Sequence, residues 1–475
     1  MITKLLFSAA LVCANALAAQ SPNVLFILVD DLGYSDVACY GNTLHETPNV
    51  DRLAREGTRF TDAYAACAVC SPTRASIQTG QYPIRYGLTD WIAGARRHNT
   101  PLKEIFTQRM LPLEEVTVAE AFNEHGYQTA FVGKWHLNDK GHKTGFPEDQ
   151  GYQVNIGGHH RGTPPGGYWA PFNNPKMNNQ PDDKYLTDRM GDETIQLLEG
   201  YSKERGKPFF LMLSFYTVHT PIQPKPELKA HYAKKLSKDG GSHGGSHWKN
   251  PEYAAMVHSM DENIGRILKA LDKLKLSKDT IVVFVSDNGG LRPQTSCFPL
   301  SKGKGYYHEG GIRIPLIIRQ PEQVAAGVES DEPVISNDLF PTLLDLAGLP
   351  LRPDQHKDGL SLKPVLQRKA FKGHDALYWH YPHYHAAGET PTSAIRVGDY
   401  KLIRHYQDGE LELYDLNQDI GEKKNLIQQK PEKAKQLEAT LDKWLSEMDA
   451  YIPVQDPDFD PSLPTATRRR SSKSN

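Results

Sequence analysis

The chain has 475 residues, 39% apolar and 24% charged, with a formal net charge of −2. That length allows a large core and makes more than one domain the default. The near-neutral balance excludes a global field favouring nucleic acid or membrane, and the one basic run, Arg468 to Arg470 with Lys473, sits in a Ser-rich tail.

Residues 1–19 read as a secretory signal. Lys4 gives the positive start, Leu5 to Leu17 the apolar stretch, and Ala16-Leu17-Ala18 an A-x-A-like cleavage site. Cys13 raises a lipoprotein alternative, against which bulky Val12 argues. No other stretch approaches ~18 uninterrupted apolar residues, so no membrane span is expected. Beyond the signal stand four cysteines, Cys39, Cys67, Cys70 and Cys297. If Cys70 serves chemistry, at most one disulfide remains. The sequence holds no Asn-x-Ser/Thr acceptor with a non-proline middle residue, which fits bacterial export to periplasm or medium better than an endoplasmic reticulum route.

Asn23 to Val29 is a continuous apolar run, the pattern of a strand buried on both faces. Helical patterns follow at Pro48–Glu56 and from Ala75. Val116–His125 reads as a helix leading into the strand Thr129–Val132. Pro208–Phe215 is a strand, Gly240–His247 a surface loop whose histidines could bind metal, Tyr253–Leu274 an amphipathic helix and Ile281–Val285 another buried strand. The alternation predicts an α/β fold, a large mostly parallel sheet flanked by helices. Past residue 370 short alternating segments (Ala376–Tyr381, Ser393–Val397, Lys401–Tyr406, Leu411–Tyr414) precede a helix at Glu432–Met448. They predict a smaller C-terminal antiparallel sheet plus helix. The expected organisation is signal 1–19, catalytic domain 20–370, C-terminal subdomain 371–455 and tail 456–475.

Asp30 and Asp31 follow the first buried strand, and Asp287 and Asn288 follow Ile281–Val285 in the same way. Ligands of open parallel sheets collect beyond the carboxyl ends of strands. Converging there, three carboxylates and an amide oxygen would form an all-oxygen site for calcium or magnesium rather than zinc. Taken singly, each pair also reads as a turn or helix cap. In Cys70-Ser71-Pro72-Thr73-Arg74, Pro72 suits the first helical position with Ser71 as cap. Cys70 would then lie at a helix N-terminus, and Arg74, four residues on, could reach it or an anion held there. A buried or disulfide-bonded cysteine is the plainer alternative. Gly133-Lys134-Trp135-His136 places Lys134 and His136 on one face of an extended segment. Lys302-Gly303-Lys304-Gly305 and the post-strand His219 add further polar groups in loops.

These residues resemble the type I, formylglycine-dependent sulfatases of the alkaline phosphatase superfamily, from Pro22–Gly33 through to Leu413-Tyr414-Asp415-Leu416. The signature Cys-x-Pro-x-Arg, followed by a helix and Thr-Gly, is matched by Cys70, Pro72, Arg74, Thr79 and Gly80. The resemblance implies that a formylglycine-generating enzyme oxidises Cys70. It implies that Asp30, Asp31, Asp287, Asn288 and residue 70 hold Ca2+, and that Arg74 holds the hydrated aldehyde. Lys134 and Lys304 would bind sulfate oxygens. His136 would be the base on the diol, with His219 or Lys304 giving a proton to the leaving alcohol. His159 or His160 would fill a further polar position.

The implied activity is exported sulfate ester hydrolysis on a sulfated glycan or other sulfate ester. Its rivals are a formylglycine-dependent phosphoester hydrolase of the same fold and an inactive glycan-binding homologue. Candidate pocket walls are Trp91–His98, including Arg97; His159, His160 and Arg161 with Trp169; and Trp379–His385, with His380 and His383 expected near the leaving sugar.

Overall fold

The computed structural model describes residues 21–94, 97–180, 184–204, 206–238 and 249–467. The expected signal segment, the Gly240–His247 loop and the basic run from Arg468 lie outside them. Among the described residues, no helix is long and apolar enough to cross a membrane.

The main sheet has eight strands: β1 (Asn23–Val29), β2 (Thr58–Phe60), β3 (Gln128–Gly133), β4 (Val154–Ile156), β5 (Phe209–Ser214), β6 (Thr280–Ser286), β7 (Leu316–Arg319) and β8 (Val328–Ser330). Their order is β8-β2-β7-β6-β1-β5-β3-β4. β6, β1, β5, β3 and β4 run parallel. Only β7 opposes its neighbours β6 and β2. Leu25 of β1 faces Leu211 and Val282 across the two ladders.

Alternate residues of β1 enter two cores. Val24, Phe26 and Leu28 pack with α2 (Cys70–Thr79), α3 (Val118–Glu124) and α7 (Leu339–Leu346). Leu25, Ile27 and Val29 pack with α1 (Pro48–Glu56), α4 (Leu186–Tyr201) and α6 (Pro251–Lys273). Both faces of the strand are therefore covered, which is why β1 reads as an unbroken apolar run. The remaining long helix of this region, α5 (Pro226–Lys238), lies on α6 around buried Tyr232. Local signals fix the ends: Thr117 and Glu120 form a capping box at α3, and Asn250 caps α6.

The second sheet is antiparallel, β9 (Leu377–Tyr381), β10 (Thr392–Val397), β11 (Tyr400–His405) and β12 (Leu411–Asp415), with α8 (Pro431–Glu447) upon it. Its core also takes in Ala66 to Val69, the stretch immediately before Cys70. The C-terminal sheet thus supports the chain that delivers the cysteine to the edge of the main sheet.

Candidate active site

Asp30–Asp31, Lys134, His219 and Asp287–Asn288 follow the carboxyl ends of β1, β3, β5 and β6. Because those strands are parallel, all of these residues emerge at one edge, a convergence the sequence allowed without requiring. Helix α2 begins there at Cys70 itself, with Val69 as the capping residue. Ser71 is not the cap: its hydroxyl donates to His136 O (2.8 Å) and accepts from Ile92 N (3.0 Å), tying the helix start to two site loops.

Cys70 Sγ lies 3.7 Å from Asp30 Oδ1, 3.9 Å from Asp31 Oδ1 and 3.2 Å from Lys304 Nζ. Lys304 Nζ is also 2.6 Å from Asp31 Oδ1. Lys134 Nζ donates to both oxygens of Asp30, at 2.8 and 2.7 Å. Arg74 reaches Asp287 at 2.8 Å rather than the cysteine side chain, and donates to Lys134 O and Ser214 Oγ. Asn288 Nδ2 donates to Asp31 Oδ1, and Asp31 N to Asp287 Oδ1. Six ionisable groups, Asp30, Asp31, Asp287, Arg74, Lys134 and Lys304, meet in a buried space around one thiol.

Burial pushes the Asp30 carboxyl up to about 8, against the pull of Lys134 and with Asp287 and Asp31 adding repulsion. Burial also raises Asp31, but Lys304, His219 and Lys134 hold it net below its ordinary value. The Cys70 thiol is pushed up to about 12 by burial, even with both lysines near, so it is a thiol at neutral pH. Asp31 Oδ2 and Asn288 Oδ1 are buried without a hydrogen-bond partner among the described residues. Two orphaned oxygens beside repelling carboxylates could hold a hard divalent cation. Asp30, Asp287 and Cys70 offer ligand atoms close enough to share one ion, as do Asp31, Cys70 and His219.

His219 Nδ1 shares a hydrogen with Thr220 O, leaving Nε2 3.7 Å from Asp31 Oδ2. Burial lowers its pKa to about 3. His136 departs from the expected extended geometry. It has φ 58°, which turns its ring away from the strand line. Its Nε2 bonds Ile92 O, and its Nδ1 is buried without a partner among the described residues. Burial, then Lys134, puts its pKa well below the usual histidine range.

The expected substrate residues divide. His159 is buried and accepts His136 N through its carbonyl, while its Nδ1 accepts from Arg161 N. Its pKa falls to about 3, by burial first and then by His160 and Arg161. His160 packs edge-on to it, and Arg161 is exposed. Arg97 donates to His385 O and so braces a loop. Trp379 is core, its indole donating to Ala65 O. His380 is held by Ser393 Oγ and Tyr451 O, and His383 by Thr89 Oγ1. Both histidines are buried and bonded elsewhere, so the expectation that His380 and His383 reach a leaving sugar is corrected.

His385 instead lies against the turn that carries Lys304. A Cβ on Gly305 (φ +90°) would lie 2.1 Å from His385 Nδ1, so the ring rests on the turn carrying Lys304. Sequence reasoning also missed Ser214, which bridges Arg74 and the Lys134 carbonyl, and Ser286, which holds Leu32 N and Asn288 O. A serine ending both β5 and β6 was the available signal. Among the described residues, Cys39, Cys67 and Cys297 form no disulfide.

Residues 22–349 match the family model for sulfatases, and residues 302–450 that for the N-sulphoglucosamine sulphohydrolase C-terminal region. A sulfatase of Formosa agariphila is 32% identical over 87% of this chain and 86% of its own. Human arylsulfatase A is 31% identical over 87% and 85% respectively. The crystal structure of Ps i-CgsB in complex with k-i-k-neocarrahexaose gives a TM-score of 0.74 at 29% identity, covering 90% of this chain and 93% of that one. BT4656 in complex with its substrate D-glucosamine-2-N,6-O-disulfate gives 0.71 at 26% identity, covering 90% and 98%. With its fold, its edge-of-sheet site and these matches, the chain belongs to the sulfatase family of the alkaline phosphatase superfamily and is a sulfuric ester hydrolase.

Proposed function

We propose that the protein is an exported sulfatase acting on a sulfated carbohydrate, with Cys70 oxidised to formylglycine and one Ca2+ held by Asp30, Asp31, Asp287, Asn288 and residue 70. The observation that carries the reading is the meeting of Cys70 with three buried carboxylates and Lys304 at a helix N-terminus. The apolar run of residues 1–19 supports export. Complexes of two structural relatives, one with neocarrahexaose and one with a glucosamine disulfate, support a carbohydrate substrate.

Calcium supplies charge neutralisation and sulfate-oxygen polarisation when bound. Formylglycine at position 70 would supply, as its hydrate, two hydroxyls on one carbon, one suited to nucleophilic attack and the other a source of the proton whose loss drives release. The chain's own residues do the rest. Arg74 fixes Asp287 and the Lys134 backbone, setting the floor of the site. Lys304, held as an ammonium by Asp31, meets the sulfate oxygens and stands ready to protonate the leaving alcohol. His219 is neutral at rest and shares that role once a substrate anion raises its proton affinity. His136 keeps its proton on Nε2, toward Ile92 O, which leaves Nδ1 as the basic atom for the diol proton.

Desulfation of defined sulfated mono- and oligosaccharides, with p-nitrophenyl sulfate and p-nitrophenyl phosphate as controls, tests the reading. Sulfate release from a sugar with little phosphatase activity supports it. Phosphate ester cleavage exceeding sulfate cleavage establishes the phosphoester rival instead.

A further inference from the structure

Lys401 of β11 is fully buried, far from any surface role. Its Nζ donates to Glu309 Oε1 at 2.9 Å and to Glu422 Oε1 at 2.8 Å. Glu422 Oε2 accepts Glu309 N at 2.7 Å, so Glu309 is gripped at both side chain and backbone. The other Glu309 oxygen accepts Tyr64 OH and Arg313 Nη1, and Arg313 continues to Asp62, which also binds Arg396. Burial would raise the Glu309 carboxyl, but Lys401, Arg313 and Arg396 hold it at about 2, so it remains ionised. This ion network joins the C-terminal sheet to the main one.

Its purpose is legible in what Glu309 leads into. Gly310 N donates to Ser301 O, Gly289 N to Gly311 O and Lys304 N to Gly290 O. The backbone after Glu309 therefore bonds both the strand exit carrying Asp287–Asn288 and the turn carrying Lys304. Packing there leaves no slack: a Cβ on Gly289 would lie 1.9 Å from Gly310 O, and one on Gly311 1.9 Å from Tyr306 O. A shift of Glu309 must then be passed to both site loops, because dense packing transmits displacement.

We propose that Lys401 is a positioning residue for the reaction, acting through Glu309 and Gly310–Gly311 to hold Asp287, Asn288 and Lys304 in the geometry that metal and sulfate binding require. The proposal rests on the reading of those three residues under Proposed function. Replacing such a buried ion pair by apolar residues need not cost stability, whereas removing one partner leaves an uncompensated charge that moves.

The test uses the full chain with Cys70 unmodified for calcium titration by calorimetry, and the matured enzyme for kinetics on p-nitrophenyl sulfate. Lys401→Met is expected to weaken calcium binding about 10-fold or more and to lower kcat by a similar factor, the scale seen when groups supporting metal ligands are lost. Lys401→Arg should recover part of both. Leu441→Ala, a core truncation in α8, is the control for lost stability alone; it should lower the thermal midpoint while leaving calcium affinity and kcat within about twofold. If Lys401→Met does not fold, Glu422→Gln releases one grip on Glu309 and should weaken calcium about threefold. Calcium affinity unchanged in the folded Lys401 variant, or unchanged in Glu422→Gln, overturns the proposal. A parent chain that binds no calcium refutes the underlying site reading instead, which separates the two failures.

Discussion

Lys304 Nζ lies 3.2 Å from Cys70 Sγ and 2.6 Å from Asp31 Oδ1, so a single ammonium spans the proposed nucleophile position and a proposed calcium ligand. Lys304→Ala should reduce kcat/KM for p-nitrophenyl sulfate by about 10²–10³, the usual loss when one preorganised oxyanion partner is removed. The same substitution removes a cation that competes for Asp31. Calcium affinity should therefore stay level or rise, and a fall would show that Lys304 supports the metal site instead.

The proposed calcium site is built from carboxylates that repel one another when no cation is bound. Asp287→Asn keeps an oxygen for Arg74 but removes a charge; it should fold, lose at least about 100-fold in calcium affinity and lose activity with it. Chelation of the parent should abolish turnover and lower the thermal midpoint, both restored by adding calcium back. Zinc bound at full occupancy after purification would show that the ligand set is wrong.

Acid should destabilise the C-terminal sheet. Burial lowers His380 to about 4 and His383 to about 3, against an ordinary value of 6.5, so both are neutral in the fold. The unfolded chain binds protons at these groups below pH 6.5 while the folded chain does not. Stability is therefore full above pH 6.5 and declines as pH falls from there toward 4 and 3, by on the order of 3–5 kcal/mol per histidine. His383→Gln, which retains a partner for Thr89, should flatten the fall of thermal midpoint between pH 6.5 and 4. An equally steep fall would place the acid lability elsewhere.

Arg161 is exposed at the end of the His159–His160 stretch. Arg161→Ala should lower kcat/KM on a sulfated oligosaccharide about 30-fold and on p-nitrophenyl sulfate less than threefold, since one charge-assisted contact is worth about 2 kcal/mol. Equal losses on both substrates would put Arg161 in the sulfate site or the scaffold.

The main sheet was legible because β1, β5 and β6 are covered on both faces and their sequences are correspondingly unbroken. Strands β2, β4, β7 and β8, of three or four residues each, carry too little pattern to stand out. The site was legible because parallel strands send Asp30–Asp31 and Asp287–Asn288 to one edge, and the Cys70 motif adds a family resemblance. Orientation was not legible. That Arg74 faces Asp287, that Ser71 binds His136 rather than capping α2, and that His385 rather than His380 or His383 rests against the Lys304 turn all depend on long-range packing. Sequence spacing constrains only near neighbours.

The measurement closest to the central claim is peptide mass spectrometry of the Cys70 segment, taken from a preparation whose sulfatase activity has been measured. The account predicts an aldehyde in place of the thiol, in a fraction that rises with specific activity, and a folded, inactive protein for Cys70→Ala. Full sulfatase activity in protein whose Cys70 is entirely an unmodified thiol would contradict it.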